Sequence, residues 1–323
     1  MKKFFVVLLA LILTCTLAGA AMAETIKVAY MPNLGSLWAI VPAIESGAFE
    51  QEGLDVQLVE FADGPTIIAA MESGSIDVGY IGSGAHKLCI QGRAKIFAFS
   101  HMGNGDAVIG LKDKGVTKPE DLKGKTVGYA SGTSSETILR YTLEAAGLAW
   151  EDITAVEMDA SAIVTATISG SIDACACWSP SSFTILEQLG DNAVIMTDNV
   201  TFADQAASLS SWIVMSNYYD KNAERVERIT RALFKGMDAA VADKEQACKW
   251  VASQLASDYD TIWQQRGDFE WLTSEEVLSL VADGTIESYY KSQQNGFISS
   301  GAVEAEVPVS DYVLLENMTK AAK

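Results

Sequence analysis

One five-residue string occurs twice in this chain. Ser73-Gly74-Ser75-Ile76-Asp77 returns as Ser169-Gly170-Ser171-Ile172-Asp173, and the match continues upstream at the same offset, pairing Ile67 with Ile163, Ile68 with Val164 and Ala70 with Ala166. The same order of predicted elements surrounds both copies. In the first, a strand over 27–30 leads to a helix that starts near Ser36 and ends by the Glu52-Gly53 turn. A strand over 55–61, a short helix from Pro65 and a strand over 76–81 follow. The second copy repeats this with a strand over 126–130, a helix over 134–146 closed by Gly147, a strand over 154–158, a helix after Asp159 and a strand over 172–178. Strands alternating with helices of this length are βαβ units, which build parallel sheets. The duplication therefore predicts an α/β chain of two similar lobes, each a βαβαβ-based sheet with helices on both faces.

Between the copies lies Gly103-Asn104-Gly105, and after the second copy Ser208-Leu209-Ser210-Ser211 leads into an apolar strand over 212–215. These read as two crossings between lobes, a hinge. Lobe one is expected to comprise 24–104 plus 212–323, and lobe two 105–211. The remaining chain reads as helical: 223–242 and 244–255 carry apolar residues at i, i+3, i+4 spacing, and Thr273-Ser274-Glu275-Glu276 resembles a capped helix start.

Residues 1–23 have the form of a secretory signal peptide, with Lys2 and Lys3, an apolar run over 4–13 and Ala21-Met22-Ala23 at the cleavage point. Cys15 follows Ile12-Leu13-Thr14, a poor lipoprotein signal, so export to the periplasm as a free chain is expected. Losing the two leader lysines takes the formal charge from −19 to −21. That acidic excess speaks against nucleic acid and anionic membrane surfaces as partners, because long-range repulsion slows every encounter. The length and the 49% hydrophobic content suffice for two cores. Beyond the leader no stretch reaches the ~20 apolar residues of a membrane helix. Cys89, Cys175, Cys177 and Cys248 show neither a C-x-x-C nor a metal-ligand spacing and read as buried, inert thiols. No metal or cofactor is expected, and the chain reads as a monomer.

In open α/β sheets ligands sit outside the carboxyl ends of the strands. Both lobes are expected to turn those ends toward one cleft, which nominates loops 31–36, 63–66, 82–86, 103–106, 131–135, 178–182 and 208–211. From these the candidate ligand-binding residues are Asn33, Gly64, Thr66, Gly82, Ser83, Gly84, Asp106, Ser131, Thr133, Ser134, Ser135, Trp178 and Ser210. The loops are rich in hydroxyls and glycine and nearly free of Lys and Arg, Lys87 being the nearest base. Ser131-Gly132-Thr133-Ser134-Ser135 follows a strand and opens a helix, so its free N–H groups and the helix dipole suit a small anion. The same residues also serve as ordinary N-caps. Tyr30, Trp38, Tyr80, Tyr129, Trp178 and Trp212 fall at strand ends, as apolar walls, a cage for a quaternary ammonium or plain core. Asp106, at the first crossing, can meet a cationic group or stand as a solvated hinge carboxylate. Enzyme motifs fail: Gly124-Lys125-Thr126 precedes its strand instead of following one, Gly82-Ser83-Gly84 is too short for a dinucleotide fingerprint, and the two histidines, His86 and His101, have no nucleophilic set around them.

The runs FADGPTIIAAMESGSIDVGYIGSGA, GNGDAVIGLKDKGVTKPEDLKGKTVGYASGTSS and SGSIDACACWSP resemble the periplasmic solute-binding proteins of the taurine, alkanesulfonate and nitrate class of ABC importers, within the NMT1/THI5-like superfamily. The resemblance covers most of the chain up to about Tyr219. It implies a two-lobed periplasmic-binding-protein fold of type II that closes on a small organosulfonate-like anion and docks on a membrane permease driven by an ATPase. Similar members hold the anionic head with hydroxyls and N–H groups from loops matching Gly64-Pro65-Thr66, Gly82-Ser83-Gly84 and 131–135, with Trp178-Ser179-Pro180 on the other lobe's wall. Where taurine-binding members carry an acidic residue two places before the return-strand Trp, this chain has Ser210; Asp106 keeps an acidic group at the first crossing. The alternatives are the same fold holding a pyrimidine, an aromatic acid or an amine, a readout by a membrane sensor, or a pyrimidine-forming enzyme of thiamine biosynthesis, whose cysteine cluster this chain lacks.

Overall fold

The computed structural model describes residues 23–202 and 208–322; the predicted signal peptide, up to residue 22, lies outside the described residues. Among the described residues ten strands form two sheets. They are β1 (Glu24–Tyr30), β2 (Leu54–Glu60), β3 (Val78–Ile81), β4 (Lys95–Met102), β5 (Asp106–Leu111), β6 (Thr126–Tyr129), β7 (Thr154–Glu157), β8 (Ala174–Trp178), β9 (Ala193–Asp198) and β10 (Leu209–Val214). The orders are β2-β1-β3-β10-β4 and β7-β6-β8-β5-β9. β1 runs parallel to β2 and β3, and β6 runs parallel to β7 and β8. The fourth strand of each sheet is antiparallel to both neighbours, β10 to β3 and β4, β5 to β8 and β9. In each case it is the strand the chain enters directly after a crossing, so each lobe is completed by a strand returning from the other. β5 and β10 are buried along their whole length, as strands covered on both faces must be.

The repeated pentapeptide does the same three jobs in both lobes. Gly74 (φ 76°) and Gly170 (φ 68°) take the left-handed conformation that ends a helix. Ser73 Oγ donates to the Ala70 carbonyl at 2.8 Å and Ser169 Oγ to that of Ala166 at 3.2 Å. Ile76 and Ile172 enter the cores. Asp77 then clips onto the neighbouring strand, its carboxylate accepting from Lys27 N at 2.8 Å while its own N–H donates to Lys27 O at 3.0 Å. Asp173 does likewise with Thr126, at 2.9 Å in both directions.

Two predicted elements differ. The helix expected from Ser36 to the Glu52-Gly53 turn is three short helices, Leu34–Leu37, Ile40–Glu45 and Ala48–Gln51, the second break falling at Ser46-Gly47, where Gly47 is left-handed. The return strand opens at Leu209, not Trp212, because the two crossings run side by side: Gly103 N donates to Ser208 O at 2.7 Å and Leu209 pairs with Met102. Helices from Ser216–Ala242 to Leu315–Ala321 pack on the first sheet and share its core, while the second sheet carries a smaller apolar cluster on each face. The capping box at Thr273 forms, Thr273 N donating to Glu276 Oε2 at 2.7 Å. Cys89, Cys175, Cys177 and Cys248 are all buried and free.

Candidate functional site

Both lobes turn strand ends and helix starts toward a shared cleft with about 690 Å³ of free space, its open mouth included. The two walls are built by one device. Ser36 Oγ accepts from Met31 N at 3.0 Å, and its own N–H is capped by Asn33 Oδ1 at 2.8 Å. In the other lobe Ser135 Oγ accepts from Ala130 N at 3.0 Å, and its N–H donates to Thr133 Oγ1 at 3.2 Å. A strand end tied back to the next helix in this way fixes the loop between them.

Of the residues expected from the sequence, Asn33, Gly64, Gly82, Ser83, Asp106, Thr133, Ser134, Trp178 and Ser210 line the cleft. Thr66, Gly84, Ser131 and Ser135 do not. The Thr66 hydroxyl donates to Asp63 O at 2.8 Å on the solvent side of its helix, and Ser131 is exposed. Ser135 is fully buried, its hydroxyl donating to Ala176 O at 2.7 Å. Gly84 is covered by the opposite lobe: a Cβ there would stand 2.0 Å from the Thr133 carbonyl carbon.

The expected anion cradle is already filled from within. Gly132 N donates to Glu136 Oε2 at 2.7 Å, and the Ser134 hydroxyl donates to Asp106 Oδ1 at 2.5 Å. In the first lobe the helix Gly64–Glu72 also starts at the cleft, capped by Asp63, whose Oδ1 accepts from Thr66 N at 2.9 Å. Carboxylates thus sit at both positive helix ends, where an incoming anion would meet them.

Acidity dominates the cleft. Asp63, Asp106 and Asp268 all line it, and among the described residues no Lys or Arg does. Asp106 is 8% exposed and accepts further hydrogen bonds from Asn199 Nδ2 at 3.0 Å and Ser208 Oγ at 3.4 Å. Burial raises its pKa above the ordinary carboxylate value, against the pull of those donors. Asp268 belongs to the first lobe and accepts from the Ser179 hydroxyl of the second. Burial, opposed by that bond and reinforced by the charge of Asp106, lifts its pKa to about 6. Lys87 is drawn away to Glu136 at 3.3 Å.

Tyr80, His101, Trp178 and Phe269 supply aromatic wall, with the His101 and Phe269 rings 4.5 Å apart. Trp38 and Trp212 stand behind them in the core, and Tyr129 packs on Trp150 at 5.0 Å. Tyr30 is likewise buried, its hydroxyl on Glu60. His101, Asp268 and Phe269 escape the sequence reading. The latter two follow the turn Gln265–Gly267, far from any strand end, and are held at the first crossing by Asn104 N donating to Asp268 O at 2.7 Å and by a bridge between Gly103 and Phe269.

Two equivalent α/β lobes, two adjoining crossings and a polar cleft between them define the bilobed periplasmic-binding-protein fold. The chain belongs to the NMT1/THI5-like family, whose sequence model matches residues 36–247. It is 31% identical to a binding protein of Brucella abortus (strain 2308) over 94% of this chain and 95% of that one. It is 25% identical to the taurine-binding periplasmic protein of Escherichia coli (strain K12) over 71% and 70% of the two chains. The crystal structure of the periplasmic aliphatic sulphonate binding protein from Escherichia coli superposes with a TM-score of 0.68 at 20% identity, covering 92% of this chain and 99% of the other. That fold is the two-lobed α/β plan expected from the duplication.

Proposed function

We propose that this protein is the periplasmic solute-binding component of an ABC importer, delivering its solute to a membrane permease, and that the solute carries a cationic nitrogen. The observation that carries the second part is the cleft's charge: Asp106, buried, and Asp268, half-buried, line it with no Lys or Arg among the described residues. Buried carboxylates are costly unless a positive partner is supplied, and a solute amine supplies it. Tyr80, Trp178 and Phe269 add polarisable wall against which an ammonium is attracted. Contacts from both lobes form together only when the lobes are closed, so the solute draws a hinge equilibrium toward closure.

The names of the relatives favour a sulfonate. The hydroxyls of Ser83, Ser208 and Ser210, which also line the cleft, suit the oxygens of such a group. A molecule with both an amine and a sulfonate satisfies both observations; an alkanesulfonate without an amine leaves the carboxylates unpaired. Import, not catalysis, fits a cleft whose one imidazole, His101, is buried and already hydrogen-bonded. Calorimetry with taurine, alkanesulfonates, sulfate and simple amines tests the reading. Amine-bearing solutes are expected to bind, and Asp106→Asn or Asp268→Asn to weaken them at least tenfold. Tighter binding of plain alkanesulfonates, undiminished in those variants, would refute it.

A further inference from the structure

Trp38, His101 and Tyr80 form a hydrogen-bonded line from the core of the first lobe to the cleft. The Trp38 indole N–H lies 3.2 Å from both Ser100 Oγ and His101 Nδ1, and Trp38 and Ser100 are fully buried. An indole nitrogen only donates, and Ser100 Oγ also lies 3.1 Å from His101 Nδ1; a bare Nδ1 accepts from both, whereas a protonated Nδ1 would set its hydrogen against the indole hydrogen. Burial pushes the His101 pKa down to about 3, and a neutral imidazole with a bare Nδ1 carries its one proton on Nε2. That nitrogen is 3.3 Å from the Tyr80 hydroxyl oxygen. The phenol oxygen therefore accepts from His101 and must turn its own hydrogen elsewhere. Tyr80, His101 and Ser210 all line the cleft. Trp212 meets Tyr80 edge-on at a centroid distance of 5.5 Å, and the Phe269 ring packs on His101 at 4.5 Å.

We infer that Trp38, by holding His101 in its Nε2–H tautomer, makes Tyr80 a standing hydrogen-bond donor to the cleft and so selects solutes that carry an acceptor atom in addition to the amine. Tyr80 is the specificity-determining residue; Trp38 and His101 are positioning residues. The selection rests on the amine reading above, whereas the tautomer does not.

Two measurements on the full chain test the two parts separately. With only two histidines in the sequence, long-range ¹H–¹⁵N correlation of ¹⁵N-labelled protein, with a His86→Gln variant to separate the rings, reads the tautomer of His101 directly. A protonated Nε2 and a bare Nδ1 at neutral pH are expected. A protonated Nδ1, or an imidazolium, would overturn the donor assignment. Calorimetry then compares taurine, which has an amine and an acceptor, with 1,3-diaminopropane, which when protonated has no acceptor. The wild type is expected to prefer taurine, and Tyr80→Phe to reduce that preference about tenfold or more while Asp106→Asn weakens both probes. A preference unchanged in Tyr80→Phe overturns the selection. Binding of neither probe, with the expected tautomer observed, overturns the amine reading and leaves the donor assignment standing.

Discussion

At Asp268, burial and a carboxylate neighbour lift the pKa to about 6, above the ordinary carboxylate value of 3.8. The folded state therefore holds this proton more tightly than the unfolded chain does. Its contribution to stability is present below the ordinary value and is lost as pH rises through about 6. Asp268→Asn removes the group, so the variant is expected to melt with the wild type near pH 4 and above it near pH 8, as scanning calorimetry would show. A cationic solute favours the charged carboxylate, which reverses the sign for binding. Affinity for an amine-bearing solute should rise as pH increases from about 5 to 7, by at most about tenfold per unit, with proton release on binding. Titrations in buffers of different ionisation enthalpy measure that release. The thiols lie at the opposite extreme of access. Cys89 and Cys248 are buried and pushed up to about 12 and about 11, and Cys175 and Cys177 are buried within β8. Alkylating reagents are expected to label none of them in the native protein and all four after denaturation.

The elements that could be read from sequence are those whose hydrogen bonds close locally. The pentapeptide is such a case in its glycine and serine, which close one helix end, whereas its isoleucine enters the core and its aspartate reaches the adjacent strand. Replacing Asp173 by Ala removes the carboxylate that accepts from Thr126 N while the backbone bond from residue 173 to Thr126 O remains, and a loss of about 1 kcal/mol is expected in urea unfolding, with Asp77→Ala costing a similar amount. The start of the helix Ser134–Ala145 shows where local reading went astray. Thr133 and Glu136 have capping spacing, and Glu136 does return to Gly132, so part of the cradle's filling was visible in the sequence. Asp106, distant in the chain, reads in the sequence as a partner for a cationic group or a hinge carboxylate; its place beside Ser134 follows from β5 entering the second sheet next to β8.

Across the whole molecule, the lobes touch at positions that set how far the cleft can close. Gly84 lies against the Thr133–Ser134 backbone, Lys87 pairs with Glu136 at 3.3 Å, and Ser179 donates to Asp268. A methyl group at residue 84 would stand 2.0–2.3 Å from three backbone atoms of the opposite lobe, which cannot yield as a flexible side chain would. Gly84→Ala is therefore expected to keep its melting temperature within about 1 °C while losing at least tenfold in solute affinity. With solute present, small-angle scattering should show it more open than the wild type. The sequence by itself determined two equivalent α/β lobes, two crossings and the loops that face one another, because a duplicated βαβ pattern has few ways to bury its apolar faces. Tertiary structure alone decided the chemistry of the space between them. Asp268 and Phe269 are delivered by a turn among the C-terminal helices, and Asp106 reaches the helix start of a different segment. No local pattern records a charge whose partners are chosen by the packing of remote elements.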